Sequence, residues 1–323
     1  MLRTGKILVT GGAGFIGRWV VKGLLKDGAE VVVVDNFSNS HPINLAEFSS
    51  EIGLTLHQQD IRQKEFMEKL FAVQRFAVCI HLAASINVQD SIDNPLETFD
   101  NDLLATLRML ELCRHYRTYF VFVSTCLVYD KYDGFEVVDE HHPVKPHSPY
   151  SASKLAGEFL ALSHHYTYGL PVTVLRPFNT YGPFQRSTGE GGVVATFLRQ
   201  RLSGEPLLVY GDGEQTRDLL YVKDCARFII SSAFSEKAVG RIINAATNRE
   251  TRINDLAAII AGGKVEIEHV PHIHPQSEVG RMRGSFTLAQ ELLGWEPRVH
   301  LDAGLMRTRE HIAQELGLDG NQR

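Results

Sequence analysis

Tyr150 and Lys154 lie four residues apart in Ser148-Pro-Tyr-Ser-Ala-Ser-Lys154. On a helix that spacing places a phenol and an ammonium on one face. A phenol titrates near 10, too high for a good base at neutral pH. A neighbouring ammonium stabilises the phenolate and lowers that value. A drop of about three units corresponds to about 4 kcal/mol. Tyr150 would then serve as general base and acid. Lys154 would also hold a ribose hydroxyl, and Thr125, at the polar strand end Ser124-Thr125, could share the proton.

A second pattern supplies the partner for that chemistry. Gly11, Gly14 and Gly17 form Gly-x-x-Gly-x-x-Gly between an apolar run and a helical period. One glycine permits a tight turn, one admits a pyrophosphate, and one lets helix pack on strand. The helix N-terminus offers free N–H groups and partial positive charge to the phosphates. Asp35 ends the next apolar run, where an acid accepts bonds from an adenosine ribose. A carboxylate there repels the extra phosphate of NADP, so NAD is the expected cofactor. Asp60-Ile61 could flank the adenine, and Leu82-Ala83-Ala84 ends a strand with small residues suited to close cofactor passage.

These residues need a scaffold of alternating strands and helices. Apolar runs predict strands at 6–10, 30–35, 54–58, 77–82, 119–124 and 171–176. Helical periods fall near 15–27, 62–72, 95–116 and 149–168. Alternation at this spacing implies an α/β fold with a doubly wound parallel sheet. Val31–Val34 and Tyr119–Val123 lack polar alternation, as strands covered on both faces should. After about residue 178 the pattern changes to a glycine-rich loop (183–192), a helix (193–203) and a short strand (207–210). Segments 222–234 and 241–245 read as a helix and strand returning to the main sheet, and a last helix falls near 301–316. The expected division is residues 1–178, completed by parts of 222–250, for the cofactor, and 179–323 mostly for the substrate.

Composition excludes several classes. Apolar residues make up 44% and charged residues 22% of 323, ordinary for a soluble protein. A net charge of −5 disfavours non-specific binding to nucleic acid or anionic membrane. No run approaches the roughly 18 apolar residues of a membrane span, and the N-terminus leaves no room for a signal peptide. Cys79, Cys113, Cys126 and Cys225 form no Cys-x-x-Cys pair, so a reducing cytoplasm is expected, with no zinc site or disulfide framework. The histidine pairs 141–142, 164–165 and 272/274 lack nearby Cys or Asp clusters, and no metal site is expected.

The chain resembles the extended short-chain dehydrogenases/reductases of the nucleotide-sugar epimerase/dehydratase family, UDP-glucose 4-epimerases among them. The resemblance runs over nearly the whole chain. It rests on Thr10–Gly17, Asp35-Asn36, His81–Ala84, Ser124–Tyr129, Ser148–Lys154, Arg176–Pro183, Gly211–Asp218 and Leu293-Gly-Trp295. It implies a Rossmann-type sheet with a smaller C-terminal substrate-binding domain, NAD, and a catalytic Thr125, Tyr150 and Lys154. The cofactor-facing set implied adds Phe15, Ile16, Asn36, Asn101 and Pro177. Asn179 and Arg217 match residues that grip the substrate's diphosphate, which a guanidinium fork suits. Val193 falls near the nucleotide base, Arg281 matches a second phosphate contact, and Ser85, Asn87 and Gln89 are expected to face the sugar. Met282 falls near the sugar's C2 substituent, and relatives often dimerise through the helices here at 95–116 and 149–168.

Departures narrow the reaction. The family's 4,6-dehydratases carry an acidic pair after the catalytic Thr, and its decarboxylases keep a Glu there. This chain has Cys126 and Leu127. A 4-epimerase needs no such carboxylate, because hydride leaves C4 and returns to the other face with NAD regenerated. The expectation is a 4-epimerase of a UDP-hexose, UDP-glucose or UDP-N-acetylglucosamine. A dehydratase using Cys126, of 4,6- or exocyclic 5,6-type, is the alternative, and a silent NAD and nucleotide-sugar sensor is the minor one. Tyr129-Asp130 replaces the family's Tyr-Gly, and its C-terminal Arg-Pro-Gly-Asp is replaced by Pro275-Gln-Ser-Glu278.

Overall fold

The computed structural model describes residues 5–131, 137–187, 192–272 and 279–318. His274 and Pro275–Glu278 lie outside the described residues, as do residues 188–191 of the glycine-rich loop.

The first half alternates as the apolar runs require. In order come β1 (Ile7–Thr10), α1 (Phe15–Lys26), β2 (Val31–Asp35), β3 (Leu54–Gln58), α2 (Lys64–Gln74) and β4 (Val78–His81). Then come α3 (Val88–Asp93), α4 (Pro95–Phe99), a π turn (Asp100–Leu104), α5 (Ala105–Tyr116), β5 (Tyr119–Val123), α6 (Pro149–Tyr168) and β6 (Val172–Pro177). The second half contributes β7 (Asn179–Tyr181), α7 (Val193–Ser203), β8 (Leu207–Tyr210), β9 (Thr216–Arg217), β10 (Leu219–Tyr221), α8 (Val222–Ala233) and β11 (Ile242–Ala245). It ends with β12 (Thr251–Arg252), α9 (Ile253–Ala261), β13 (Ile267–Val270), α10 (Thr287–Leu293) and α11 (Leu301–Glu315).

Seven strands make one parallel sheet in the order β11-β6-β5-β4-β1-β2-β3. The segment expected at 241–245 therefore does return to the main sheet. Side chains alternate between the two faces. Val9, Val31, Val33 and Ile80 pack under α1 and α8, while Leu8, Val32, Cys79 and Phe120 pack under α2, α5 and α6. A separate core built on α7, α9 and α11 contains Phe197, Leu207, Leu256 and Ile312. Its strands pair only in twos: β7 with β10, β9 with β12, and β8 with β13.

Local chemistry sets α6, which carries Tyr150 and Lys154. Ser148 caps it, accepting from Ser151 N, with Pro149 at the first helical position and a reciprocal Ser151 bond. Gly169 ends it at φ +68. Among the described residues no helix is long and apolar enough to cross a membrane.

Candidate active site

The strand order reverses between β1 and β4, and the carboxyl ends of strands part there into a crevice. A cavity of about 700 Å³ lies at this point, within the range of cofactor sites. Its wall brings together Gly11, Gly14, Phe15, Ile16, Gly17, Asp35, Asn36 and Ile61 with Leu82, Ala83, Ala84, Asn87, Asn101, Tyr150, Lys154 and Pro177. Sequence reasoning had gathered all of these from eight separate stretches.

The glycines are needed for close approach. Gly11 holds φ +69, and a Cβ there would stand 2.8 Å from Ala83 N. A Cβ on Gly17 would collide with the Gly11 carbonyl. Helix α1 starts at Gly14 with no side-chain cap and no acid in its first turn. Its leading N–H groups lack intrahelical partners, so an anion at this end would cap it. Asp35 is already engaged by the chain: Oδ2 accepts from Ala13 N at 2.9 Å, and Oδ1 from Phe37 N at 2.9 Å and Ser40 Oγ at 2.8 Å. A ribose would share these oxygens. Asp60 stands off the cavity wall, held by Arg62 at 2.8 Å and Asn36 at 3.1 Å, and that ion pair takes its carboxyl down to about 2.

At the other end, Thr125 caps a short turn, accepting from Leu127 N at 3.2 Å, and hydrogen-bonds the Tyr150 side chain. Tyr150 is 8% and Lys154 3% exposed. Burial lowers Lys154 to about 8, opposed by Asp102 and Glu158. The Lys154 ammonium sits 4.4 Å from the Phe122 ring centre. The lowered phenol expected from Tyr150–Lys154 spacing is not what the chain alone produces. Burial, with Asp102 and Cys126, pushes Tyr150 above its usual range, and the Thr125 bond offsets only part of this. The reason is desolvation, which penalises the phenolate in the same dry wall that lowers the lysine.

The residues expected to meet a substrate are more scattered. Ser85 accepts from Asn101 Nδ2 at 2.9 Å, and Asn87 lines the cavity while capping α3. Cys126 is 2% exposed, and burial pushes its thiol up to about 12. It packs with Tyr129, Phe178 and Met282, so Met282 lies in a small core rather than on the cavity wall. Asn179 opens β7 with its Oδ1 buried and unpartnered. Val193 begins α7 and packs on the C-terminal core. Arg217 Nη1 donates to the carbonyls of Thr216 at 2.8 Å and Val279 at 2.7 Å. Arg281 forks onto Glu250, Nε to Oε1 at 2.7 Å and Nη2 to Oε2 at 2.6 Å.

The NAD dependent epimerase/dehydratase family model matches residues 7–246. The chain belongs to this family. It is therefore an NAD-dependent epimerase/dehydratase-type enzyme, and the cradle at Gly11–Gly17 with the uncapped α1 fits that cofactor. The chain is 52% identical to Pal from Bacillus thuringiensis, whose X-ray structure superposes with a TM-score of 0.95 over 96% of this chain and 99% of that one. UDP-glucose 4-epimerase from Thermotoga maritima, solved with UDP-glucose, is 35% identical with a TM-score of 0.90 over 96% and 99% of the two chains. UDP-glucose 4-epimerase of Mycolicibacterium smegmatis is 34% identical over 94% of this chain and 97% of its own. A UDP-glucuronic acid decarboxylase and a dTDP-glucose 4,6-dehydratase are among further relatives.

Three features of this family member escaped sequence reasoning. Asp102, 3% exposed, sits behind the cavity wall beside Lys154. Ser124, which lines the cavity, donates to Glu158 Oε1 at 2.5 Å, and Arg176 grips the same carboxylate at 2.9 Å and 2.5 Å. Removing one partner of such a buried pair costs about 3–5 kcal/mol. Phe184, also on the wall, holds φ +70 with its ring 3.5 Å from the Arg18 guanidinium and 4.1 Å from the His311 ring. Only Arg176 and Glu158 left a sequence signal: two charges inside otherwise apolar stretches.

Proposed function

We propose that the protein is a nucleotide-sugar 4-epimerase acting on a UDP-hexose, UDP-glucose or UDP-N-acetylglucosamine. One observation carries the reading: Tyr150 and Lys154 line one cavity, Thr125 hydrogen-bonds Tyr150, and the two residues after Thr125 are Cys126 and Leu127, neither a carboxylate. Removing a C5 proton needs a base at that place; inverting C4 does not. Cys126 is a poor substitute, since a thiol pushed up to about 12 yields almost no thiolate at neutral pH.

Bound NAD would supply hydride uptake from C4 and its return to the other face. It would lie with its phosphates on the start of α1, its ribose at Asp35 and Lys154, and Asn101 beside it. The chain's own work is with protons. Tyr150 accepts the C4 hydroxyl proton and later gives it back, with Thr125 bridging phenol and substrate oxygen. Lys154 holds positive charge beside the phenolate. Ser85, Asn87, Asn179, Val193 and Arg217 are the residues for the sugar nucleotide. A guanidinium fork suits a diphosphate, which is the role this reading gives Arg217.

In this reading residues 1–178 with parts of 222–250 hold NAD, and 179–323 mostly hold the substrate. The protein would work as a cytoplasmic homodimer joined through the helical segments 95–116 and 149–168, where Leu104, Phe159 and Tyr166 are 45%, 59% and 74% exposed. Sedimentation at equilibrium tests the dimer, and a monomer at micromolar concentration would refute it. The function is tested by incubating the NAD-loaded protein with UDP-glucose and UDP-N-acetylglucosamine in turn, followed by proton NMR and product mass. A product of unchanged mass with inverted C4 coupling is expected. Loss of one water would make the protein a dehydratase and return Cys126 to the chemistry.

A further inference from the structure

No motif singles out Asp102, yet it is among the most heavily engaged side chains near the cavity. It lies in the π turn between α4 and α5, and such turns are rare and concentrate at functional sites. Its Oδ1 accepts from Ser85 N at 2.7 Å and Asn101 Nδ2 at 2.9 Å, and its Oδ2 accepts from Ser153 Oγ at 3.2 Å. Ser85 follows the small residues of the cavity wall, Asn101 lines the cavity, and Ser153 directly precedes Lys154. Ser153 Oγ also reaches the Tyr150 carbonyl at 2.8 Å. One carboxylate thus ties the β4 loop, the π turn and the catalytic helix.

Hydrogen bonding alone does not call for a charge here. A buried carboxylate costs several kcal/mol unless a cation answers it. Burial pushes the Asp102 carboxyl up and the Lys154 ammonium down, and each charge pulls the other back toward its ionised form. We propose that Asp102 is a positioning residue of this active site, whose buried charge balances the Lys154 ammonium and keeps it a cation beside Tyr150. The proposal rests on the Tyr150–Lys154 reading of the site.

The surrounding groups leave this task to Asp102. Glu158, one turn further along α6, also faces Lys154, but its two oxygens serve Arg176 and Ser124. His81, reaching from β4, is held down to about 3 by burial and stays neutral. Cys126, after β5, is a protonated thiol. Tyr150 feels the same carboxylate as a repulsion, so the charge that keeps Lys154 a cation opposes the phenolate directly.

The NAD-loaded protein can be titrated by carbon NMR of its lysine ε-carbons, with the Lys154 signal identified by its loss in Lys154→Met. Asp102→Asn keeps the size and removes the charge, and the Lys154 midpoint should fall by about one unit or more. An unmoved midpoint in a variant that still binds NAD overturns the proposal. Should Asp102→Asn fail to fold, Asp102→Glu and Asp102→Gln offer a second pair matched in volume. The Glu variant should titrate close to the parent and the Gln variant below it, and a shared midpoint is equally fatal. Because this readout needs no sugar, it separates the two readings. A moved midpoint without turnover of either UDP-sugar sinks the 4-epimerase and leaves Asp102 standing.

Discussion

The two sides of the proposed active site differ in how ready their polar groups are for a ligand. On the Rossmann side, the start of α1 carries no side-chain cap, the glycines leave room, and an open cavity of about 700 Å³ runs past them to Tyr150. On the C-terminal side, Arg217 donates to two backbone carbonyls and Arg281 is clamped by Glu250. The first wall is pre-formed for its cofactor. If the second holds the substrate as proposed, it must exchange internal bonds for external ones, so its share of binding energy is reduced by what it gives up.

The largest test of this contrast is Tyr150→Phe. Turnover should fall at least ~10³-fold while NAD affinity, measured calorimetrically, stays within a few-fold. Surviving activity would remove the phenol from the mechanism. Next comes Arg217→Ala, which should raise the substrate KM roughly 10–100-fold, the worth of a charge-assisted bond to phosphate. Its NAD affinity should not change, and a matching loss of NAD would show that the walls are not separable.

Gly11→Ala probes the opposite wall. A side chain at φ +69 that meets the Ala83 backbone should weaken NAD binding by about tenfold or more, with substrate KM little altered once NAD is saturating. Smaller still is the pH effect. With Lys154 lowered to about 8, the fraction of cation falls about tenfold per unit above that value. The rate should therefore decline on the alkaline side of about 8, while on the acid side it falls as the Tyr150 base is protonated. A rate still rising through that region would mean Lys154 keeps its ordinary value once NAD is bound.

The same contrast explains what could be read in advance. The parallel sheet, α1 and α6 follow from continuous valine runs, glycine spacing and the Ser148-Pro149 start, all local signals. Expected and observed bounds for α7 and β8 agree at 193–203 and 207–210. The pairings β7–β10, β9–β12 and β8–β13 join two- to four-residue segments far apart in sequence, and no periodicity announces them. Asp102 was missed because a carboxylate in a polar-looking Phe99-Asp-Asn-Asp stretch reads as solvated, and only the π turn carries it inward. Asp60 stands off the cavity wall, held by Arg62 two residues on, while its neighbour Ile61 lines that wall.

Arg281 gives the smallest effect and the finest cut. Its side chain is 27% exposed and its partner Glu250 20%, so the pair is partly screened and its loss costs about 1 kcal/mol of stability. Both fork donors are committed to Glu250, which also accepts from Thr216 Oγ1 at 2.7 Å. A phosphate would have to outbid a carboxylate already held in two-point geometry. Arg281→Ala should therefore change substrate KM less than about threefold while lowering the melting temperature slightly. A tenfold rise would mean that the guanidinium leaves Glu250 for the ligand. Glu250→Gln should then lower KM, because it weakens the competing hold of Glu250 without removing the arginine. If instead Glu250→Gln leaves KM unchanged, Arg281 belongs to the scaffold of this wall and Arg217 alone grips the diphosphate.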